Sequence, residues 1–271
     1  MNWSLITASN NEAVLQTCLA NSPCVPRAHD FQVMRGFTSA GAAYNAGIRQ
    51  STGEILVFAH QDVYLPSEWD SQLAAAVSQL SQSAPNWAVL GVWGITRESK
   101  AHGYMYCTCM QKMLGQPFRQ PVPCASLDEV VLILRRSAAL QFDEQLPGFH
   151  LYGTDICLVA MQAGFSSYVI PAFCIHNACG QTFLPWAFWL AYFYFRHKWK
   201  ERLPIRTPCT VITRSCYPLL LHPAQSFIAH FVKRQRVGAR VLDPGALYRA
   251  LPNTLGFGEP AKQPDRIAAR A

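Results

Sequence analysis

Two short polar runs hold the chemistry-bearing side chains of the first third of the chain: Thr7-Ala8-Ser9-Asn10-Asn11-Glu12 and His60-Gln61-Asp62. The first continues from the apolar Leu5-Ile6, the second from Ile55-Leu56-Val57-Phe58-Ala59. In an open α/β sheet, ligands bind beyond the carboxyl ends of the strands, where such runs gather. An Asp after a strand often only caps a helix, but Asp62 leads into Val63-Tyr64-Leu65-Pro66, which does not start one. A third candidate, His176, ends an extended segment, and an imidazole beside a carboxylate is a sound ligand set for a divalent cation. Such a His is otherwise a hydrogen-bonded packing residue, and the same alternative applies to His60.

The elements that must position these residues follow from the hydrophobic pattern. Residues 5–8 predict a buried strand, 13–19 a helix introduced by capping side chains, 31–34 a second strand and 41–49 a second helix. Thr52-Gly53 ends that helix, and residues 54–59 form a continuous apolar run of the kind buried on both faces of a parallel sheet. The unit is βαβαβ. A helix from Pro66 to about Leu80, a strand over 87–92, a strand over 129–134 and a helix over 154–162 stopped by Gly164 extend the alternation. Extended chain broken by Pro171 covers 167–175, and 95–125 reads as hairpins and loops over the sheet. Alternation of this kind predicts an α/β, Rossmann-like, mostly parallel central sheet flanked by helices.

The run Gly41-Ala42-Ala43-Tyr44-Asn45-Ala46-Gly47-Ile48, followed by Ser51-Thr52-Gly53-Glu54 and the strand ending in His60-Gln61-Asp62, resembles the family-2-type glycosyltransferases of the GT-A fold. The resemblance covers roughly the first 70 residues well and reaches position 180 more loosely. It implies a nucleotide-sugar-dependent transferase, with Thr7, Ala8, Ser9, Glu12, Asn45, Gln61 and Asp62 in the nucleotide-sugar site. It also implies Mn2+ or Mg2+ held by Asp62 and His176, since a cation neutralises the charge that grows on a departing diphosphate. The family usually has two Asp flanking one residue, whereas His60 stands here in place of the first.

The segment Phe149-His150-Leu151-Tyr152-Gly153-Thr154-Asp155 is similar to the one that supplies the base in that family, with Tyr152-Gly153 replacing the usual acidic pair. Asp155 is the candidate base and His150 the alternative; a first-turn Asp also simply favours the helix dipole. Asp128 and Trp186 are candidate acceptor contacts, against a turn carboxylate and core packing as the plain readings. The implied reaction is inverting transfer to an acceptor hydroxyl on a glycan, a lipid-linked sugar or another molecule. A nucleotidyltransferase is the enzymatic alternative, although Thr7-Ala8-Ser9-Asn10-Asn11-Glu12 lacks a Gly-rich basic phosphate loop. A catalytically inactive nucleotide-sugar-binding module is the alternative from another class.

With 271 residues, half of them hydrophobic, the chain can bury a large core and is not of disordered composition. The expected organisation is a catalytic domain over 1–180 and an aromatic, basic helical extension over 181–271, poorly ordered after about 256. The net charge of +7 suits an anionic partner, and much of the basic excess lies after position 195. No regular basic and aromatic interleaving points to nucleic acid. The ten cysteines are dispersed without zinc-ribbon spacing, so reduced thiols are expected. No basic stretch precedes an apolar one at the start, so the expectation is a cytoplasmic protein. The aromatic run 183–195 is too short to cross a bilayer, but its junction with cations suits peripheral contact at the inner face of the membrane.

Overall fold

Strands β1 (Trp3–Ala8), β2 (Asp30–Met34) and β3 (Ile55–Ala59) pair in parallel, with β1 between the other two. Helices α1 (Glu12–Thr17) and α2 (Ala40–Gln50) make the crossovers, completing the expected βαβαβ unit. Asn11 caps α1 by accepting from Val14 N at 3.1 Å, and Ser39 caps α2 by accepting from Ala42 N at 3.4 Å. The computed structural model describes residues 1–179, 185–215 and 238–251.

The chain continues through β4 (Val63–Tyr64), α3 (Trp69–Ser83), β5 (Trp87–Gly91), β6 (Trp93–Thr96), β7 (Ala101–Cys107) and β8 (Lys112–Gly115). Then come β9 (Val122–Leu127), β10 (Val131–Arg135), α4 (Tyr152–Gln162), β11 (Ser166–Val169) and β12 (Cys174–His176). Helix α5 (Trp186–Lys198), the small hairpin β13 (Ile205–Arg206) and β14 (Val211–Ile212), and helix α6 (Pro244–Ala250) follow.

One twelve-stranded sheet runs in the order 2-1-3-10-5-11-9-6-7-12-4, with β8 paired to β7. From β2 to β11 the strands run one way except β10, which is antiparallel to both neighbours. This is the mostly parallel α/β half. Residues 95–125 differ from the expectation of hairpins lying over the sheet. Their strands extend it, because β9 takes up the free edge of β11 and then pairs with β6.

Side chains alternate between the two faces of β1, so Leu5 packs with Leu15, Trp69 and Leu73 of α1 and α3. Ile6 packs on the other side with Tyr44, Ile156 and Phe188 of α2, α4 and α5. The sheet is therefore covered by helices on both faces, which explains the apolar continuity of β3 and β10. Among the described residues no helix is long and apolar enough to cross a membrane. The tail after 256 and the basic residues Lys233 to Arg236 lie outside the described residues.

The turn into β3 sets where that strand ends. Gly53 N–H donates to Ser4 Oγ at 2.8 Å, and its carbonyl accepts from Arg136 Nε at 2.6 Å. A Cβ on Gly53 would stand 2.6 Å from the Ser4 backbone nitrogen, which cannot move without disturbing the β1–β3 pairing. Gly53→Ala is therefore expected to lower stability by about 1–3 kcal/mol, read as a shift of the urea midpoint at unchanged slope.

Candidate functional site

Strand β3 ends at Ala59, and His60-Gln61-Asp62 forms the link to β4. His60 N–H donates to Val130 O at 3.1 Å, and Asp62 O accepts from Asn177 N at 2.8 Å, which ties the link to the start of β10 and the end of β12. Gln61 joins it to the loop after β1. Its Oε1 accepts from Ser9 Oγ at 2.8 Å, Asn11 N at 3.0 Å and Asn10 N at 3.2 Å, while its Nε2 donates to Asn10 Oδ1 at 2.7 Å. Thr7 Oγ1 adds a bond to Ala59 O at 2.8 Å. The two polar runs singled out in the sequence thus form one floor.

Above that floor lies a cavity of about 400 Å3, within the range of small-molecule sites. Ala8, Ser9, Gln61 and Asp62 line it together with His60, His150 and Tyr44, and Met34, Phe37 and Phe149 supply apolar wall. Asp62 stands at its edge. His176 Nε2 lies 3.5 Å from Asp62 Oδ1, and Arg240 Nη2 donates to Asp62 Oδ2 at 3.1 Å. Ligand atoms of His60, Asp62 and His176 all lie within 4.8 Å of one another.

Burial works against the charge on Asp62, but His176, His60 and Arg240 outweigh it and hold the carboxyl well below the usual carboxylate range. Burial also disfavours the His176 imidazolium, yet contacts to Asp62 and Cys107 bring its pKa up to about 10. Cys107 is its register partner across the parallel β7–β12 pair. For His60 burial leads and the neighbouring His176 and His150 add to it, so this imidazole stays below its ordinary value despite Asp62. One of its nitrogens, Nε2, lies 2.9 Å from the Tyr152 hydroxyl.

Two imidazoles and a carboxylate so close together fit a divalent first-row cation. The guanidinium of Arg240 already stands at that carboxylate, which marks the place as one that requires positive charge. Asp62 and His176, expected as metal ligands, are brought together, and His60 joins them from the position where the family pattern has an Asp.

Other residues singled out in the sequence take different places. Asn45 is buried in α2 and commits its amide to the loop before α4, donating to Phe142 O and accepting from Phe142 N, both at 2.9 Å. Glu12 faces solvent and pairs with Arg35 at 2.8 Å. Neither lines the cavity, because each side chain is directed to a neighbouring element. Asp128 accepts from Val130 N at 3.0 Å, an Asx turn leading into β10.

The two candidate bases separate clearly. His150 lines the cavity, and burial lowers its pKa, so it is a neutral imidazole at ordinary pH. Asp155 is only 1% exposed and is not one of the residues in the His60, Asp62 and His176 cluster. Its carboxyl accepts from Trp199 Nε1 at 2.7 Å and faces Lys198 Nζ at 2.8 Å, and Lys198 also reaches Asp143 at 2.7 Å. Asp155 is occupied in holding α5 to α4. The backbone between the two candidates is strained, since Leu151 has φ +66°, rare for a bulky residue. Trp186, at the start of α5, is 72% exposed, while its neighbour Phe188 packs against the His150 ring at 5.6 Å.

Tyr44, Tyr152 and Arg240 belong to this site without having been singled out as site residues. Tyr44 and Tyr152 left a trace, since both lie inside the quoted motifs. Arg240 left none, being 178 positions from its partner Asp62.

Residues 4–184 match the profile of the Glycosyltransferase like family. The chain belongs to that family. A curated relative from Fuscovulum blasticum, "ATP synthase subunits region ORF 6", is 34% identical over 122 residues, 44% of this chain and 49% of its own length. The chain thus aligns with about half of that relative. Among solved structures, GalNAc-T7 with UDP, GalNAc and Mn2+ covers 65% of this chain and 43% of its own at 11% identity, with a TM-score of 0.47. The mannosyltransferase PcManGT from Pyrobaculum calidifontis, in complex with GDP-Man and Mn2+, covers 84% and 69% at 14% identity, with a TM-score of 0.45.

Glu129, next to Asp128 in the chain, accepts from Gly153 N at 3.4 Å. Burial, with the Asp128 charge adding to it, brings its carboxyl up to about 8 from an ordinary 4.5. Between those values the folded chain binds the proton and the unfolded chain has lost it, so stability falls as pH rises through this window. Glu129→Gln removes that loss. Melting curves at pH 5 and pH 8 are expected to show the variant gaining on the wild type as pH increases; a constant difference would contradict the assignment.

Proposed function

We propose that the chain transfers a sugar from a nucleoside-diphosphate donor to an acceptor hydroxyl, with inversion and with help from a divalent cation. The observation that carries this reading is the cavity at the ends of β1 and β3, with the His60, Asp62 and His176 cluster at its edge. Those three residues would hold the cation, Mn2+ or Mg2+, which supplies neutralising charge to the diphosphate as the glycosidic bond breaks. Imidazole ligands favour Mn2+ of the two.

The chain's own groups divide the remaining work. Ala8 and Ser9 meet the nucleotide directly, while Thr7 and Gln61 act one layer back by holding the loop after β1. Phe37 and Met34 offer apolar surface to the nucleoside. His150, neutral and facing the cavity, takes the proton from the acceptor hydroxyl as its oxygen attacks the anomeric carbon. Asp155 keeps α5 in place, so its effect on turnover passes through position. The exposed ring of Trp186, on the helix whose Phe188 packs against His150, is the platform assigned to the acceptor, and Asp128 is the second acceptor contact.

Helix α5 also bears on location. Trp186, Leu190 and Phe193 are exposed at helical spacing along one face, and Arg196 and Lys200 follow, Lys198 being taken up by Asp143 and Asp155. Phe183 and Leu184, the start of the aromatic run, lie outside the described residues. This face suits peripheral attachment to an anionic leaflet at the cytoplasmic side of a membrane, with each cation contributing about 1 kcal/mol. Cosedimentation with anionic vesicles is expected at low salt and should fall at high salt. Equal recovery in the supernatant under all conditions would remove the membrane from the proposal.

Variants separate the roles within the site. Asp62→Ala is expected to abolish turnover and metal-dependent nucleotide binding, and full activity in that variant would overturn the reading. His150→Gln should keep donor binding and lose transfer by about a hundredfold or more. Asp155→Asn should lower stability by about 1–3 kcal/mol, because Lys198 then faces an amide, while transfer at low temperature persists. The reverse result for the last two would make Asp155 the base.

A further inference from the structure

The residue that faces Asp62 from furthest along the chain is Arg240. Its segment is held to the strand ends by its backbone. Gly238 N–H donates to Cys109 O at 2.8 Å, where a Cβ would meet Thr108 O, so a side chain at 238 is excluded. Val241 exchanges two bonds with the Asn177 amide, at 2.8 and 2.9 Å. Helix α6 then sets Tyr248 against Tyr64 and Phe173, with its hydroxyl 3.2 Å from Glu68. Arg240 is thus delivered to Asp62 by a built support, and its position does not depend on its own ion pair.

The guanidinium is only partly used. Nε donates to Asn177 O at 3.0 Å and Nη2 to Asp62 Oδ2 at 3.1 Å, and a third of the side chain remains exposed. A guanidinium has five N–H donors in a planar fork suited to phosphate oxygens, so several have no partner among the described residues. The Asp62 carboxylate is also the one that a cation bound by His60, Asp62 and His176 would use. Arg240 and that cation therefore compete for one carboxylate, and a displaced guanidinium held at this spot lies beside the cation's open positions.

We propose that Arg240 is a diphosphate-binding residue, which neutralises Asp62 in the ligand-free chain and passes to the phosphate oxygens when the divalent cation takes the carboxylate. This rests on the reading of the cavity as a nucleoside-diphosphate-sugar site. It predicts two effects of opposite sign from one substitution. Removing Arg240 frees Asp62 for the cation and deprives the diphosphate of a partner.

Calorimetric titration of the full chain tests it, with Mn2+ alone and then with UDP and GDP at saturating Mn2+. Arg240→Gln is expected to bind Mn2+ several-fold more tightly and the better of the two nucleotides roughly tenfold to a hundredfold more weakly. Arg240→Lys should fall between them for the nucleotide, as a single charge replaces the fork. Arg249→Gln, which removes only an exposed 3.8 Å pair with Asp243, serves as the control and should match the wild type. Unchanged nucleotide affinity in Arg240→Gln, or loss of both affinities together with a lowered melting temperature, overturns the proposal and leaves the donor-site reading standing. Failure of the wild type to bind either nucleotide overturns both.

Discussion

A carboxylate that is mostly enclosed at the end of a buried strand must be paired, and much of the site is arranged around that requirement at Asp62. An uncompensated buried charge costs several kcal/mol, so cations have to be brought to it. The link after β3 carries only neutral His60 and Gln61 alongside it. The compensating groups come from elsewhere: His176 from the end of β12 and Arg240 from the segment before α6. The strand order follows the same logic, since β12 pairs with β4, the strand that Asp62 leads into.

The second half of the chain is attached by charge as well as by apolar packing. Lys198, in the last turn of α5, lies between Asp143 and Asp155, while Phe188, Tyr192 and Phe195 of the same helix enter the core on one face of the sheet. Burial raises the Asp155 carboxyl, and Lys198 and Trp199 oppose that shift. The aromatic segment therefore does two things. One face completes the core, and the other remains exposed through Trp186, Leu190 and Phe193.

Membership in a glycosyltransferase family and the chemistry of the cavity reinforce one another without being the same argument. The family defines the kind of scaffold. The distances around Asp62 say which groups this chain can present there, and they differ from the family pattern at the first acidic position. His60 takes that place as a neutral imidazole hydrogen-bonded to Tyr152, and Tyr152 itself stands where the acidic pair would be. The two departures thus meet in space.

The βαβαβ opening, the turn at Gly53 and the polar run ending in Asp62 were legible in the sequence, because they depend on local periodicity and on residues close together in the chain. Residues 95–125 were not, since whether a strand joins a sheet or lies over it depends on which edge is free. The roles of Asn45 and Glu12 were equally hidden: a polar residue at the right spacing for a ligand is also at the right spacing to bond a neighbouring loop or an Arg. The sequence by itself determined the two-faced apolar strands and the list of ionisable groups at their ends. Tertiary structure alone decided which of those groups meet. His150 faces the cavity while Asp155 faces Lys198, and Arg240 reaches across 178 positions to Asp62, because hydrogen bonds and ion pairs act over a few ångströms in space and take no account of separation along the chain.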